Sequence, residues 1–325
     1  MIQRKKEISS RCNWLDFAKG IAILLVVIGH ALQYYLYPNA FNEELSWRCI
    51  YSFHMPFFFI LSGIASSFSR TSQFELKFVL NKSRRLMLPF FCWATIDYAL
   101  MYLVIGGGSY VKYFITPSHG LWYLWTLFFI VILHSLIITL SNQTIHRIVN
   151  SVVIYVLLIC ISNIASGRFG LVEISRYYIF FSLGYYLKVL GVIDYVISRR
   201  FLSNTILIIC IVIWYMLFNL YSYDTNPYIE WIIRTFLALS GSISALLISI
   251  RLADINYVKA SVEKLGTNTM GIYAVNSYVI YALAIIFSHT LWLFPIAVIL
   301  DVIISFAISL ILNKINVSRK LLLGQ

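Results

Sequence analysis

Charge is scarce in this sequence. Only 12% of its 325 residues are Asp, Glu, Lys or Arg, while 60% are hydrophobic. A soluble domain carries about twice that share of charge, and the mean hydropathy is +0.82. Together these values exclude an ordinary soluble fold. No domain-sized polar segment is visible, so the membrane bundle is read as one domain over 1–325, with short segments 1–13 and 313–325 outside the apolar runs. A cleavable signal peptide is not expected: the first apolar run is too long, carries charge and lacks a small-residue cleavage pattern after it. The five cysteines (Cys12, Cys49, Cys92, Cys160 and Cys210) lack metal-ligand or redox spacing and read as packing residues, and no metal is expected. There is no internal repeat, and no pair of Gly/Pro-broken helices in matching halves of the kind many secondary transporters show. Gly106-Gly107-Gly108 has no Lys-Ser/Thr after it and is not a phosphate-cradling loop.

What remains is an all-α, polytopic membrane helix bundle. Ten apolar runs are long enough, or nearly so, to span: 17–36, 50–68, 87–105, 121–140, 151–165, 176–192, 202–221, 230–250, 269–287 and 291–312. The fifth is short and interrupted. Ser288-His289-Thr290 makes the last two a tight hairpin. Abundant Tyr (23), Phe (23) and Trp (8) fit interfacial anchoring. Alternating the ten spans puts 20 Lys and Arg on the side of the termini and 5 on the other, namely Arg48, Lys112, Arg168, Arg176 and Arg234. By the positive-inside rule both termini are cytoplasmic. The net charge of +12 is therefore topology. No basic stripe with stacking aromatics stands in a soluble region, and no nucleic-acid partner is expected.

The most informative residue is His30, in DFAKGIAILLVVIGHALQYYLY. Lys19 precedes it by eleven positions, about three turns plus 20° and about 16 Å of helix. Asp16 precedes it by fourteen and lies within about 40° of the same meridian. One helix face thus carries a carboxylate and an ammonium near one membrane surface and an imidazole deep in the bilayer. Ionisable groups there are costly and by default functional. A neutral histidine is also a good general base near pH 7. The second run carries His54 four or five residues inside its outer end, at a depth similar to His30 if the two runs form an antiparallel hairpin.

Three further features have both a bland and a functional reading. Lys82-Ser83-Arg84-Arg85 sets topology, or binds phosphate through paired guanidiniums. The segment SHGLWYLWTLFF at 118–129, with Trp122 and Tyr123, is interfacial belt, or a surface on which sugar faces stack. Asp97 and Asp301 lie within spans three and ten, where they pair with polar neighbours or line a cavity.

Six segments, in order, resemble the acyltransferase 3 family of integral membrane acyltransferases, in its fucose 4-O-acetylase-like branch. They are WLDFAKGIAILLVVIGH (14–30), FHMPFFFILSG (53–63), RRLMLPFF (84–91), LWYLWTLFF (121–129), FFSLGYYL (180–187) and LGTNTMGIYAVN (265–276). The resemblance implies transfer of an acyl group, usually acetyl, from cytoplasmic acetyl-CoA (an acyl-CoA donor) to a hydroxyl of a cell-surface glycan or its lipid-linked precursor. It also implies a multi-pass protein of a bacterial inner membrane.

In the family pattern, Arg is followed by ten residues and then His. Here Lys19 takes the Arg place and His30 inherits the catalytic role. Lys is a point charge where Arg is a planar fork, so its contact with phosphate differs. Arg84 and Arg85 match the basic pair implicated in acyl-CoA use. Asn276 stands where the family often has His, so a base is lost there and a sugar-binding role remains. Asp16 is a supporting residue, about 21 Å of helix from His30, and pairs with Lys19. His54, Trp122 and Tyr123 flank the acceptor's route. An acyl-His intermediate stays open beside direct transfer. The rival readings are an exporter of a sugar or lipid-linked precursor, with the histidines as proton relays, and a non-catalytic membrane scaffold.

Overall fold

The structure is a computed structural model that describes residues 13–38, 40–69, 74–105, 110, 121–165, 168–220, 227–287 and 289–325. Cys12, the Gly106–Gly108 run and the stretch 111–120 lie outside the described residues. All regular structure among the described residues is helical. In a bilayer that is what an open chain must do, because each backbone N–H and C=O needs a partner within its own segment.

In chain order the helices are α1 (Asn13–Ala31), α2 (Leu45–Tyr51), α3 (His54–Ser67), α4 (Leu76–Lys82), α5 (Leu88–Ile105), α6 (Trp122–Leu140), α7 (Thr144–Ile164), α8 (Leu171–Val189), α9 (Val192–Ser198), α10 (Arg200–Leu220), α11 (Pro227–Leu252), α12 (Asn256–Thr267), α13 (Thr269–Phe287), α14 (Phe294–Lys314) and α15 (Asn316–Leu322). Among the described residues, eight helical stretches are long and apolar enough to cross a membrane. Arg168–Val189 with Val192–Ser198, bent by 66°, makes a ninth if counted as one span. The run at 87–105 is the 18-residue α5. This is a multi-pass helical membrane protein.

Two boundaries differ from the sequence expectation. The fifth run is neither short nor interrupted: α7 is a continuous 21-residue helix. Its polar interruption is absorbed locally, since Asn150 Nδ2 donates to Ser141 Oγ at 2.7 Å and Ser151 Oγ donates to the Arg147 carbonyl at 2.8 Å. The second span begins at Leu45, so His54 lies nine residues inside its outer end, deeper than expected.

The chain packs as two compact units, Met1–Leu61 with Gly191–Ser309 and Ser62–Leu190 with Leu310–Gln325. The first is built around α1, whose Phe17, Ala18, Ala22, Ile23, Val26, Val27 and Ala31 are buried. Its neighbour α12 runs against it, with Val262 at Gly20 and Gly266 at Asp16, and α13 runs with it, with Asn276 at His30 and Tyr281 stacked on Tyr34. A Cβ on Gly20 would stand 2.1 Å from the Val262 carbonyl oxygen, so only glycine permits this approach. At the far end Tyr35 closes the packing. Its hydroxyl donates to the Thr290 carbonyl at 3.0 Å, and His289 Nδ1 donates to the Tyr35 carbonyl at 2.6 Å. His289 itself has φ +57°. On another side of this unit, the break between α2 and α3 is held by Trp214 Nε1 on Ser52 Oγ (3.0 Å) and by Ser242 Oγ on the Phe53 carbonyl (3.2 Å).

The second unit packs α6, α7 and α8 together. Gly63 lies against α8, where a Cβ would be 2.0 Å from the Phe181 carbonyl oxygen. The C-terminal α15 packs on α5, with Trp93 Nε1 donating to the Leu322 carbonyl at 3.0 Å. Gly324, at φ +66°, brings the tail against the Arg85 backbone.

Candidate active site

α1 carries three of the candidate residues and presents them as the helical spacing predicts. At its N-terminal end Lys19 Nζ lies 3.3 Å from Asp16 Oδ1, with side chains 23% and 11% exposed. The expected pairing of these residues is therefore present. This ion pair sits where α12 crosses, against the Asp16 backbone. His30 is in the last turn of α1. Directly after it the helix widens into a π-helical turn, Leu32–Leu36. Such turns are rare and often mark functional sites.

The His30 ring is half-buried and meets α13. Its Nδ1 lies 2.6 Å from Asn276 Oδ1 and 3.2 Å from Ser277 Oγ. Ser277 Oγ in turn donates to Asn276 Oδ1 at 3.3 Å. Asn276 is completely buried. His54 is buried and donates from Nδ1 to the Ile50 carbonyl at 2.9 Å. The two imidazoles are within electrostatic reach of each other.

Around His30 stands a group of aromatic residues that the sequence reading did not single out. Tyr34 lies over the imidazole at 5.5 Å between ring centroids and stacks on Tyr281 at 4.6 Å. Tyr51 stacks on Trp47 at 3.9 Å, packs its edge on His54 at 4.5 Å, and donates from its hydroxyl to Gln33 Oε1 at 3.0 Å. Gly29 leaves room for that ring, since a Cβ there would be 2.9 Å from Tyr51. Tyr34 was findable as the residue one turn beyond His30. The others come from distant parts of the chain and had no local signal.

The second unit carries the remaining candidates. Arg84 and Arg85 lie in a second π-helical turn, Ser83–Met87, between α4 and α5. Both are exposed. Burial pushes the neighbouring Lys82 ammonium below its usual value, and the Arg85 charge adds to that effect. Tyr123 shares a 2.6 Å hydrogen bond with Ser62, and Trp122 lies 5.4 Å from the Tyr177 ring.

A histidine passed over in the sequence, His134, is also buried in this unit. Phe181, Tyr185 and Tyr186 enclose it, and neither ring nitrogen has a hydrogen-bond partner among the described residues. Asp301, on α14 in the first unit, is buried and accepts from Ser305 Oγ at 2.8 Å. Among the described residues no group of three or more His, Cys, Asp and Glu side chains is placed to hold a metal ion.

The six ordered segments of the sequence meet within the two units. The first and last meet in one unit through Gly20, Gly266, His30 and Asn276. In the second unit 84–91, 121–129, 180–187 and the end of 53–63 meet, through Ser62 on Tyr123, Gly63 on Phe181, and Phe90 5.2 Å from Trp125, while 53–61 belong to the first unit.

The acyltransferase 3 family model, described as an acyltransferase domain, matches residues 13–313. Two curated relatives are similar over a shorter stretch. Nodulation protein NolL of Mesorhizobium japonicum is 41% identical over 92 residues, 28% of this chain and 25% of the relative. NolL of Sinorhizobium fredii is 39% identical over 83 residues, 25% of this chain and 23% of the relative. The chain thus matches about a quarter of the length of either relative. No solved structure matches it.

Proposed function

The chain belongs to the acyltransferase 3 family, and on that premise we propose that it moves an acetyl group from acetyl-CoA, on the cytoplasmic side of an inner membrane, to a hydroxyl of a cell-surface glycan or its lipid-linked precursor. The observation that carries this reading is His30. It is an imidazole within a membrane-spanning helix, in line with the Asp16–Lys19 ion pair and next to a π-helical turn.

His30 takes the proton from the acceptor hydroxyl as the oxygen attacks the thioester carbonyl. The tetrahedral intermediate collapses with release of the coenzyme A thiolate, and the imidazolium returns the proton to that sulfur. The products are the O-acetyl ester and the free thiol. Arg84 and Arg85 bind donor phosphates, with guanidinium forks suited to that geometry. Lys19 adds a point charge, and Asp16 holds its ammonium in place. On the acceptor side, His54, Trp122 and Tyr123 are the proposed contacts, and the sugar contact expected of Asn276 from the sequence is weighed below. The aromatic residues Tyr34, Trp47, Tyr51 and Tyr281 add apolar ring surface of the kind that packs on sugars.

The test is transfer of radiolabelled acetyl from acetyl-CoA into glycan, in membranes bearing wild-type or His30→Ala protein at equal levels. Label that disappears in the variant supports the reading. Undiminished label in the variant overturns the role of His30. Glycan movement with no coenzyme A dependence overturns the transferase.

A further inference from the structure

The His30 ring must present a lone pair to act as a base, and a neutral imidazole has only one. Which nitrogen carries it is set by the partner of the other. In this structure Nδ1 faces Asn276 Oδ1 at 2.6 Å. An amide oxygen can only accept, so Nδ1 carries the hydrogen and the lone pair is on Nε2. The same oxygen also receives the Ser277 hydroxyl at 3.3 Å, which holds the amide with Oδ1 toward the ring.

Two contacts keep α1 and the α12–α13 pair in register, so that this bond forms. One is the glycine approach of Gly266 to Asp16, and the other is the Tyr35 clasp on His289 and Thr290. The His30–Asn276 pair lies between them.

Asn276 is costly where it stands. It is completely buried, and its Nδ2 has no hydrogen-bond partner among the described residues. A buried donor left unpaired destabilises a fold, and a leucine of similar size would avoid the penalty. That points to a role for its oxygen that an apolar side chain would not fill.

We infer that Asn276 is a positioning residue for His30, holding the imidazole with Nδ1 protonated and Nε2 free to take the acceptor's proton. The inference rests on the proposed catalytic role of His30. It gives Asn276 a role one step removed from the substrate, in place of the sugar contact expected from the sequence. Asn276 is neutral, so it orients the ring without stabilising the imidazolium as a carboxylate would. The other titratable groups facing His30 are Tyr34, with Tyr281 behind it, and His54.

The experiment compares Asn276→Leu, Asn276→Asp and His30→Ala in membranes, reading kcat, the KM for each substrate, and the pH profile of kcat/KM. In Asn276→Leu the expected result is a kcat lower by about 10- to 100-fold, the scale of acid–base contributions, with both KM values unchanged. Asn276→Asp keeps the acceptor oxygen and adds charge. It is expected to restore kcat and to move the acidic limb of the profile to higher pH by about one unit, because a nearby anion favours the imidazolium. If Asn276→Leu fails to insert, the Asp variant decides alone: a moved limb supports the inference and an unmoved limb overturns it. Wild-type kcat and profile in both variants, with His30→Ala inactive, overturn the inference and leave the proposed function standing. A raised acceptor KM with unchanged kcat overturns it in favour of a substrate contact. Full activity in His30→Ala overturns the proposed function itself.

Discussion

Gly266 meets Asp16 backbone to backbone: a Cβ on Gly266 would stand 1.7 Å from the Asp16 carbonyl oxygen and 2.9 Å from the Gly20 nitrogen. The neighbouring atoms are main chain and cannot rotate away. Gly266→Ala is therefore expected to push α12 off α1, costing about 1–3 kcal/mol, the usual range for overpacking. The check is thermal stability in detergent with acetyl transfer measured alongside. Wild-type values for both would show that the two helices have slack.

Tyr35 ties the π-helical turn after His30 to the α13–α14 turn through Thr290 and His289. Tyr35→Phe removes the hydroxyl and leaves the Thr290 carbonyl without it. A loss of about 1 kcal/mol in stability is expected. A fall in kcat larger than the fall in acetyl-CoA KM is expected with it, since the register of His30 against Asn276 is disturbed. Steady-state kinetics at fixed protein level provide the test.

Lys19 and Asp16 form a half-buried pair 3.3 Å apart. If the ammonium serves the donor phosphates, Lys19→Arg retains more activity than Lys19→Ala. Lys19→Ala should raise the acetyl-CoA KM by roughly tenfold, about 1.4 kcal/mol. Equal activity in the two variants would remove Lys19 from the site.

Arg84 and Arg85 are exposed on a π-helical turn, with a Lys82 whose charge is already disfavoured by burial and by Arg85. Replacing both arginines with serine is expected to raise the acetyl-CoA KM by tenfold or more. The loss should be smaller for a donor lacking the 3′-phosphate, because part of it is the lost phosphate contact. A KM that does not change with either donor would leave only a topological role for the pair.

The tail from Asn316 onward meets this same turn through Gly324, against the Arg85 backbone, and meets α5 through Leu322, whose carbonyl accepts from Trp93. Gly324→Val would force a side chain into the Arg85 backbone at a φ of +66°, which β-branched residues rarely adopt. Its expected effect is a raised acetyl-CoA KM without loss of insertion. Binding measured by calorimetry on purified protein decides this, and an unchanged affinity would separate the tail from the arginine turn.

Much of the architecture was already written in hydropathy, because a bilayer admits few backbone solutions. Each of the ten apolar runs lies on a helix among the described residues, and the α1 face carrying Asp16, Lys19 and His30 follows from helical geometry alone. The exceptions have local causes. The start of α7 contains Thr, His, Arg and Asn, which lower its apolarity but are accommodated by hydrogen bonds within the helix and to the preceding turn. The second span extends back to Leu45, beyond the apolar run at 50–68, because the break between α2 and α3 hides its continuity.

Partner identity could not be read along the chain. His30 and Asn276 are 246 residues apart, and nothing in either segment specifies the other. Glycine at 20 and 266 is unremarkable in a list of residues and becomes necessary only when two backbones come within contact. Residue order suffices to say which segments enter the membrane and which ionisable groups they carry, since both depend on transfer free energy and a fixed 3.6-residue period. That His30 faces an amide oxygen emerges on folding, because packing across the chain selects one neighbour from many that composition would allow.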